Sequence, residues 1–476
     1  MDEQRNEPIR PVNPRRKKRS KMQIFKEAYL PVIIAGVAVL LIIIFIIGSI
    51  TRAVQQKKAD RLESIAASSS LAEEEERLTQ QANDLIAQAD LLAAGYDYQG
   101  AIDLLNTFTG DLNNFPELYD KIVSYESSMS NLVAWDDPSK VVNLSFQLLI
   151  ADPSRAFNHA VYSTSFNRNF ITTEEFSKIL QQLYENNYVL VDLDDLFTTE
   201  TLEDGTTVFK ANTIYLPGDK KPLMLTQTNV NYNYYLIDSD GDKVADAGGG
   251  GFANKLIWDG NTFTNTLVDG SGNTISGNFD FVPILETFIA RNPAFSYQGA
   301  RATLALTGYN GLFGYRTHPD AKDVFGEDVY NAEIAEAQKV ADALRTAGYK
   351  LACYSYENIS YLDSSVTQIQ ADLSNWTSEV TPIIGNPDIF VYAQLTDITN
   401  EPTYSGEKYE TLKNLGFRYF LGFCNDGKTW ATVTDPYVRQ GRILVTGVNL
   451  AYHADWFTGM FDPAIVLDGS RGDVPQ

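Results

Sequence analysis

Histidine and cysteine are both scarce in this chain. The 476 residues hold three histidines, His159, His318 and His453, and no two of them stand at the spacing of a metal-binding motif. Because imidazole is a principal ligand of zinc and related cations, a sequence-local histidine metal motif is excluded. The two cysteines, Cys353 and Cys424, allow one pairing, which excludes a disulfide framework. Both lie in apolar segments, so we expect buried free thiols.

Positive charge is also in short supply. Lys and Arg number 38 against 61 Asp and Glu, for a net charge of −23. Residues 1–27 hold nine of the basic residues and four of the acidic ones, so the remaining chain is more acidic than the total. An acidic body argues against nucleic acid as a partner. A hydrophobic content of 44% indicates a globular chain, with length for about three modules.

One long apolar run stands near the N-terminus. Residues 28–51, AYLPVIIAGVAVLLIIIFIIGSIT, carry no charge and exceed the roughly 20 residues that cross a bilayer as a helix. The basic cluster RRKKRSK precedes it, so the positive-inside rule predicts a cytoplasmic tail over residues 1–27 and an extracytoplasmic chain from residue 52. A cleaved signal peptide is the alternative, but its apolar core is usually about 7–15 residues. We therefore expect a single-pass anchor in the cell membrane.

Two helical segments follow the apolar run. Residues 52–94 are rich in Ala, Glu, Gln and Leu, which predicts a helical stalk. Residues 95–136 resemble a single tetratricopeptide hairpin, and one such unit cannot form a binding groove because about three must stack. We interpret it as a spacer. The alternative is a self-association or docking element, since the apolar side chains of the stalk, Leu85, Leu91 and Leu92, need burial.

From residue 137 to 476 the pattern alternates between helix and strand. Thr172 to Glu175 has capping-box spacing and precedes a helical apolar stripe, which is followed directly by the strand-like NNYVLVDL. Repeated helix–strand units predict an α/β fold with parallel strands. Turn-rich residues 197–300 predict a β-rich insertion. Within it, DSDGDK is interpreted as a hairpin turn, with a calcium loop as the alternative because Lys243 and Gly249 depart from the EF-hand pattern.

The order of these elements resembles the polysaccharide deacetylase (NodB homology) family, in a membrane-anchored variant found in Gram-positive bacteria. The resemblance covers residues from about 140 onward. It implies a distorted (β/α) barrel. The segments that carry it are EEFSKILQQLYENNYVLVDLDDL, KKPLMLTQTNVNY, FSYQGARATLALTGYNGLFGYRT, AEAQKVADALRTAGYKLACYSYENI and WTSEVTPIIGNPDIFVYAQLTDI.

The catalytic motifs of that family are altered here. Active members hydrolyse an acetamide with a metal-activated water, for which they use an Asp base, an Asp ligand and two His ligands. The resemblance places these roles on Thr228, Asn229, Tyr354 and Asn358. A hydroxyl, two neutral amides and a phenol with an ordinary pKa of about 10 cannot serve as that base or those ligands near neutral pH. All four degenerate positions have therefore lost the required chemistry.

A relocated site would have to use other histidines. His318 beside Asp320 and His453 beside Asp455 are the candidates, and each stands in a loop-like segment where a surface histidine is the ordinary explanation. A sequence-local pair rarely marks catalysis.

We therefore expect a pseudoenzyme whose cleft binds a cell-envelope glycan or a partner protein. The candidate cleft residues are Asn229, Tyr232, Tyr354, Tyr356 and Asn358. No cofactor is expected. One alternative is an active N-deacetylase with a non-standard site, which would need a divalent metal such as zinc. Another is a scaffold that acts through the stalk.

Overall fold

The computed structural model describes residue 22 and residues 30–476. The predicted cytoplasmic tail, residues 1–27, lies outside the described residues apart from Met22. Contacts divide the chain into a unit up to Gln81 and a compact unit from Ala82 to Gln476. One continuous helix, Leu30–Ala94, contains a stretch long and apolar enough to cross a membrane. Its composition and position fit a membrane anchor or a signal sequence.

The compact unit holds all the described strands. They are β1 Leu132–Trp135, β2 Val142–Phe146, β3 Tyr188–Leu190, β4 Phe197–Thr201, β5 Thr207–Ala211, β6 Ile214–Pro217, β7 Lys221–Thr228, β8 Lys255–Trp258, β9 Phe263–Val268, β10 Thr274–Gly277, β11 Thr303–Leu306, β12 Lys350–Cys353, β13 Ile389–Val391, β14 Tyr419–Phe423, β15 Ala431–Val433 and β16 Val438–Leu444.

Helices connect these strands. The α-helices after Ala94 are Tyr98–Leu105, Pro116–Ser130, Pro153–Ala156, Ser163–Asn169, Thr173–Glu185, Leu193–Leu196, Tyr234–Ile237, Phe281–Arg291, Ala321–Phe325, Glu327–Thr346, Val366–Asn375, Thr381–Ile384, Glu407–Asn414, Gly447–Tyr452 and Pro463–Val466. A π-helical turn, Trp376–Val380, joins two of them.

Seven parallel strands close into a barrel. Around the barrel their order is β2, β7, β11, β12, β13, β14 and β16, and β16 pairs with β2 to complete the circle. The register sets Ser145 opposite both Thr226 and Leu444, so the ends of distant segments lie at one level. The predicted fold class, a (β/α) barrel with β-rich additions and a preceding helix, is confirmed.

Local sequence explains the first helix–strand unit. The Thr172 hydroxyl accepts from the Glu175 backbone N–H at 3.1 Å, and the Glu175 carboxylate accepts from the Thr172 backbone N–H at 2.7 Å. This capping box starts the helix Thr173–Glu185, whose apolar stripe is buried against the barrel. The predicted capping box and helix are confirmed.

The barrel strands alternate between two apolar clusters. Side chains that face the surrounding helices, such as Leu225 and Leu304, join one large core, while those that face the barrel axis, such as Met224 and Ala305, join another. This period-2 division is the direct result of strand geometry. Towards the carboxyl ends of the strands the interior becomes polar.

The predicted insertion and spacer differ from the structure. Residues 197–300 form two separate additions, β4 to β6 and β8 to β10, because barrel strand β7 runs between them. Residues 95–136 are not a free spacer: β1 pairs antiparallel with β6, and the Tyr96 hydroxyl donates to the Ala294 carbonyl at 2.8 Å. The local sequence pattern does not predict backbone pairing between segments that lie about 80 residues apart in the chain. The helical hairpin therefore belongs to the barrel unit.

The DSDGDK segment follows a short helix and is not a strand hairpin. Asp238 accepts from the backbone N–H groups of Asp240, Gly241 and Lys243 at 2.7–3.0 Å. The carboxylates of Asp238, Asp240 and Asp246 lie within 4.8 Å of one another. Backbone N–H groups already donate to these carboxylates, so hydrogen bonding within the loop explains why the three side chains lie close together.

Candidate functional site

The four degenerate positions meet at one cavity. The cavity has a volume of about 370 Å³ and opens at the carboxyl ends of the barrel strands, where parallel strands present their following loops. We call it the central cavity. It is lined by Gln147, Arg168, Asn169, Thr228, Asn229, Tyr354, Asn358, Gln394, Leu395, Leu444, Thr446, Val448 and Asn449.

The ends of β7 and β12 place the key side chains. Thr228 is the last residue of β7, and its hydroxyl donates to the Phe146 carbonyl at 3.2 Å. Tyr354 follows β12 and donates its backbone N–H to the Leu306 carbonyl at 2.7 Å. Burial raises the pKa of Tyr354, against the opposing effects of the Arg442 charge and a side-chain hydrogen bond with Thr228. The phenol is therefore neutral near pH 7 and can donate a hydrogen bond.

Left-handed backbone is concentrated around this cavity. Asn229, Asn358, Gln394 and Leu395 have φ between 54° and 64°, a region that non-glycine residues rarely occupy. Ser355, which lies between Tyr354 and Asn358 in the chain, has φ of 60°, and its hydroxyl accepts from the Ile359 N–H. Each such residue costs on the order of 1–3 kcal/mol and persists where the surroundings hold it. Clustered strain of this kind is typical of functional sites.

One polar atom in the cavity wall lacks a partner. Gln394 donates to the Asn358 carbonyl at 2.9 Å, but the buried Asn358 Oδ1 has no hydrogen-bond partner among the described residues. A buried acceptor without a donor costs about 1–3 kcal/mol.

The donor set does not fit a divalent cation. Thr228, Asn229, Tyr354 and Asn358 offer hydroxyl, amide and phenol groups, and within residues 30–476 no carboxylate or imidazole lines the cavity. Zinc requires His, Cys or carboxylate ligands, and hard cations are held chiefly by charged carboxylates. No step of metal-assisted hydrolysis can be assigned to these residues.

A buried guanidinium lies below the cavity. Arg442 is fully buried and donates to the Gly422 carbonyl at 3.1 Å, the Ser145 hydroxyl at 2.9 Å and the Tyr392 carbonyl at 2.9 Å. Burial lowers the pKa of Arg442 to about 10, so it stays charged at neutral pH. Its charge acts on the neighbouring Tyr354 phenol.

Tyr232 and Tyr356 lie away from the central cavity, which corrects their expected place in the cleft. The Tyr232 hydroxyl donates to the buried Asp280 at 2.8 Å, and the Tyr356 hydroxyl donates to Glu379. Both rings are buried in the core, where desolvation raises their pKa. At these two positions the aromatic side chains pack in the core.

A second cavity adjoins the first. We call it the aromatic cavity; it has a volume of about 510 Å³ and is lined by Tyr234, Tyr235, Lys243, Tyr309, Asn310, His318, Asp320, Ala321, Val324 and Glu357. Glu357 lines the aromatic cavity, and the next residue, Asn358, lines the central cavity. The Tyr235 and Tyr309 side chains are 37% and 45% exposed, so their rings are accessible.

The histidines form no acid–base site with a nucleophile. His318 Nδ1 accepts from the Asp320 backbone N–H at 3.2 Å and lies 3.7 Å from its carboxylate. His453 stacks on Trp456, with ring centroids 4.3 Å apart. His159 accepts two backbone N–H groups near 3.1 Å and caps its own loop.

Several lining residues were not predicted from sequence. Gln147, Gln394 and Thr446 each follow a barrel strand within three residues. Polar residues that directly follow buried strands indicate that those residues meet at the carboxyl-terminal end of a parallel barrel. Cys353 and Cys424 are buried and unbonded, as expected.

Comparisons with known proteins add little to this description. No family model matches the chain, and no curated protein matches it. Among solved structures it is similar to the Streptococcus pyogenes deacetylase PplD in complex with acetate, at 9% identity, over 65% of this chain and 93% of that chain, with a TM-score of 0.33. At that TM-score we transfer no property from it. The class defined by fold and site is a closed parallel barrel with a metal-incompatible polar cavity.

Proposed function

We propose that this protein is a membrane-anchored, extracytoplasmic protein with a deacetylase-like barrel that binds a cell-envelope glycan without metal-dependent hydrolysis. The observation that carries the proposal is the chemistry of the central cavity. The four positions that would hold catalysis in the resembling family converge there as amide, hydroxyl and phenol groups. These groups donate and accept hydrogen bonds but supply neither a metal ligand set nor a base.

The aromatic cavity supports a saccharide as the ligand. Sugars combine hydroxyls, which pair with amides, and apolar ring faces, which pack on aromatic rings. Tyr235 and Tyr309 provide accessible rings next to the amide-rich central cavity. A chain of sugars that crosses from Asn358 to the neighbouring Glu357 would reach both cavities.

The anchor supports an envelope location. The apolar part of the helix Leu30–Ala94 has the length to cross a bilayer, and the basic residues before it favour a cytoplasmic N-terminus. The barrel unit would then face the cell envelope, where insoluble glycans are within reach.

Binding is tested with the full chain in detergent micelles. We expect retention on insoluble peptidoglycan or chitin, and a loss of at least tenfold in retained protein for Asn358→Gly. Glycine accepts the left-handed backbone, so this change removes the amide without adding strain. Asn187→Gly is the matched control, because Asn187 also has positive φ but precedes β3 at the opposite end of the barrel.

Two results would overturn the proposal. Equal retention of Asn358→Gly and wild type would remove the central cavity from binding. A divalent ion that survives dialysis at one per chain, together with acetate release from an acetylated glycan, would establish hydrolysis instead.

A further inference from the structure

In the part of the chain that the structure describes, no acidic side chain lines the central cavity of this otherwise acidic protein. The chain carries 61 Asp and Glu, yet none of those within residues 30–476 lines this cavity, while Arg168 does. The adjoining aromatic cavity is different, since Asp320 and Glu357 line it. The absence of carboxylates is therefore local to the central cavity and leaves it with a positive charge.

Arg442 adds a second positive charge from below. Leu444 lines the cavity, and Arg442 stands two residues earlier on the same face of β16. The Arg442 guanidinium bonds the Ser145 hydroxyl at 2.9 Å, and Ser145 pairs with Thr226, two residues before the cavity-lining Thr228. The guanidinium thus lies one layer beneath the cavity floor.

Neither guanidinium is neutralised by a carboxylate of the described residues. The partners of Arg442 are two backbone carbonyls and one hydroxyl. Arg168 donates to the Pro475 carbonyl at 2.9 Å, which uses one of its five N–H groups. Burying a charge without a counter-charge is costly, and a nearby anion offsets that cost. A ligand carboxylate in the cavity would supply the missing counter-charge.

We propose that the central cavity binds a saccharide that carries a carboxylate, with Arg168 contacting the carboxylate and Arg442 stabilising it from below. The proposal rests on the proposed glycan function and names its ligand class. The neutral Tyr354 phenol, which lines the cavity, offers a further donor.

The test compares three probes on the full chain in detergent micelles. They are an oligosaccharide that alternates glucuronate with N-acetylglucosamine, a neutral N-acetylglucosamine oligomer of the same length, and succinate as a carboxylate that is not a sugar. We expect the acidic oligosaccharide to bind at least tenfold more tightly than the neutral one, with an affinity that falls as salt is raised.

Variants assign the preference to the cavity. Arg168→Gln is expected to reduce affinity for the acidic oligosaccharide about tenfold and to leave the neutral one unchanged. Arg291→Gln, at an exposed helix end away from the cavity, is the control and should change neither. If Arg442→Gln does not fold, the Arg168→Gln comparison still decides, because Arg168 is only partly buried.

Each outcome has a defined meaning. Equal affinity for the two oligosaccharides, or an acid preference that survives Arg168→Gln, overturns this inference and leaves glycan binding standing. Binding of succinate with no binding of either oligosaccharide supports the carboxylate site and overturns the glycan function. No binding of any probe overturns both.

Discussion

The buried ion pair between Glu175 and Arg471 should be the dominant single contact that holds the C-terminal segment to the barrel. Both side chains are 1% exposed or less, and Arg471 bonds both Glu175 carboxylate oxygens. The same carboxylate accepts the backbone N–H groups of Thr172 and Asp468 at 2.7 and 2.9 Å. Glu175→Gln therefore puts an amide N–H against donors and leaves a buried guanidinium without its counter-charge. We expect a loss of about 3–5 kcal/mol in the free energy of unfolding.

The loss is measured as a shift of the denaturant midpoint, followed by tryptophan fluorescence of the full chain in detergent. Glu174→Gln is the matched control: Glu174 pairs with Lys178 at 2.9 Å but is 64% exposed, so its loss should cost no more than about 0.5 kcal/mol. Adding Arg471→Met to Glu175→Gln removes the unpaired charge and should recover part of the loss. Equal midpoints for Glu175→Gln and Glu174→Gln would refute the reasoning.

The pair also has a consequence for the central cavity. Arg471 donates to the Asn167 carbonyl at 2.6 Å and to the Phe170 carbonyl at 2.9 Å. The backbone between these two carbonyls carries Arg168 and Asn169, which line the cavity. Ligand affinity should therefore weaken in Glu175→Gln even under conditions where the chain remains folded.

Three further predictions concern the barrel and its cavity. Burial raises the pKa of Asp280, so the folded state holds its proton more tightly than the unfolded state does. The wild type should therefore lose stability relative to Asp280→Asn as pH rises from about 4 through the folded pKa. Denaturant midpoints across this pH range measure the difference, and a pH-independent difference would contradict the prediction. Gly308→Ala places a methyl group against the buried Tyr356 ring and should cost about 1–3 kcal/mol, whereas Gly270→Ala, in open space, should be neutral. Replacing the four degenerate positions together with Asp, Asp, His and His should create zinc binding that survives dialysis, because all four line the central cavity, and a variant that gains no zinc binding would contradict this expectation.

The sequence predicts the parts of the fold that depend on local chemistry. The Thr172 capping box and the alternation of helices with parallel strands follow from the sequence pattern, whereas the barrel is what the family resemblance implies. The resemblance to the deacetylase family predicts that the segments after β7 and β12 form one site, and Thr228 and Tyr354 line the same cavity. The β1–β6 pairing depends instead on segments about 80 residues apart.

The direction of side chains beyond each strand end was not predictable. Period-2 alternation holds only while the backbone stays extended, and Asn229 and Ser355 turn into the left-handed region. Tyr232 and Tyr356 lie beyond those turns, so their rings enter the core and not the cavity. The partners of Arg442 come from β2, from β14 and from the loop after β13, so its burial follows from tertiary structure.

The polar interior of the barrel separates two kinds of buried group. Thr226 donates to Asn143 at 2.9 Å, and Asn143 donates to Gln440 at 3.2 Å, so these neutral groups satisfy one another at little net cost. Arg442, in the same interior, has hydrogen bonds but no counter-charge from the described residues. An apolar side chain of similar volume at such a position is commonly neutral or stabilising. Folding alone therefore gives no reason for a guanidinium beneath the cavity floor. An anionic ligand does, because the ligand would bind to a positive charge that is already desolvated and fixed in place.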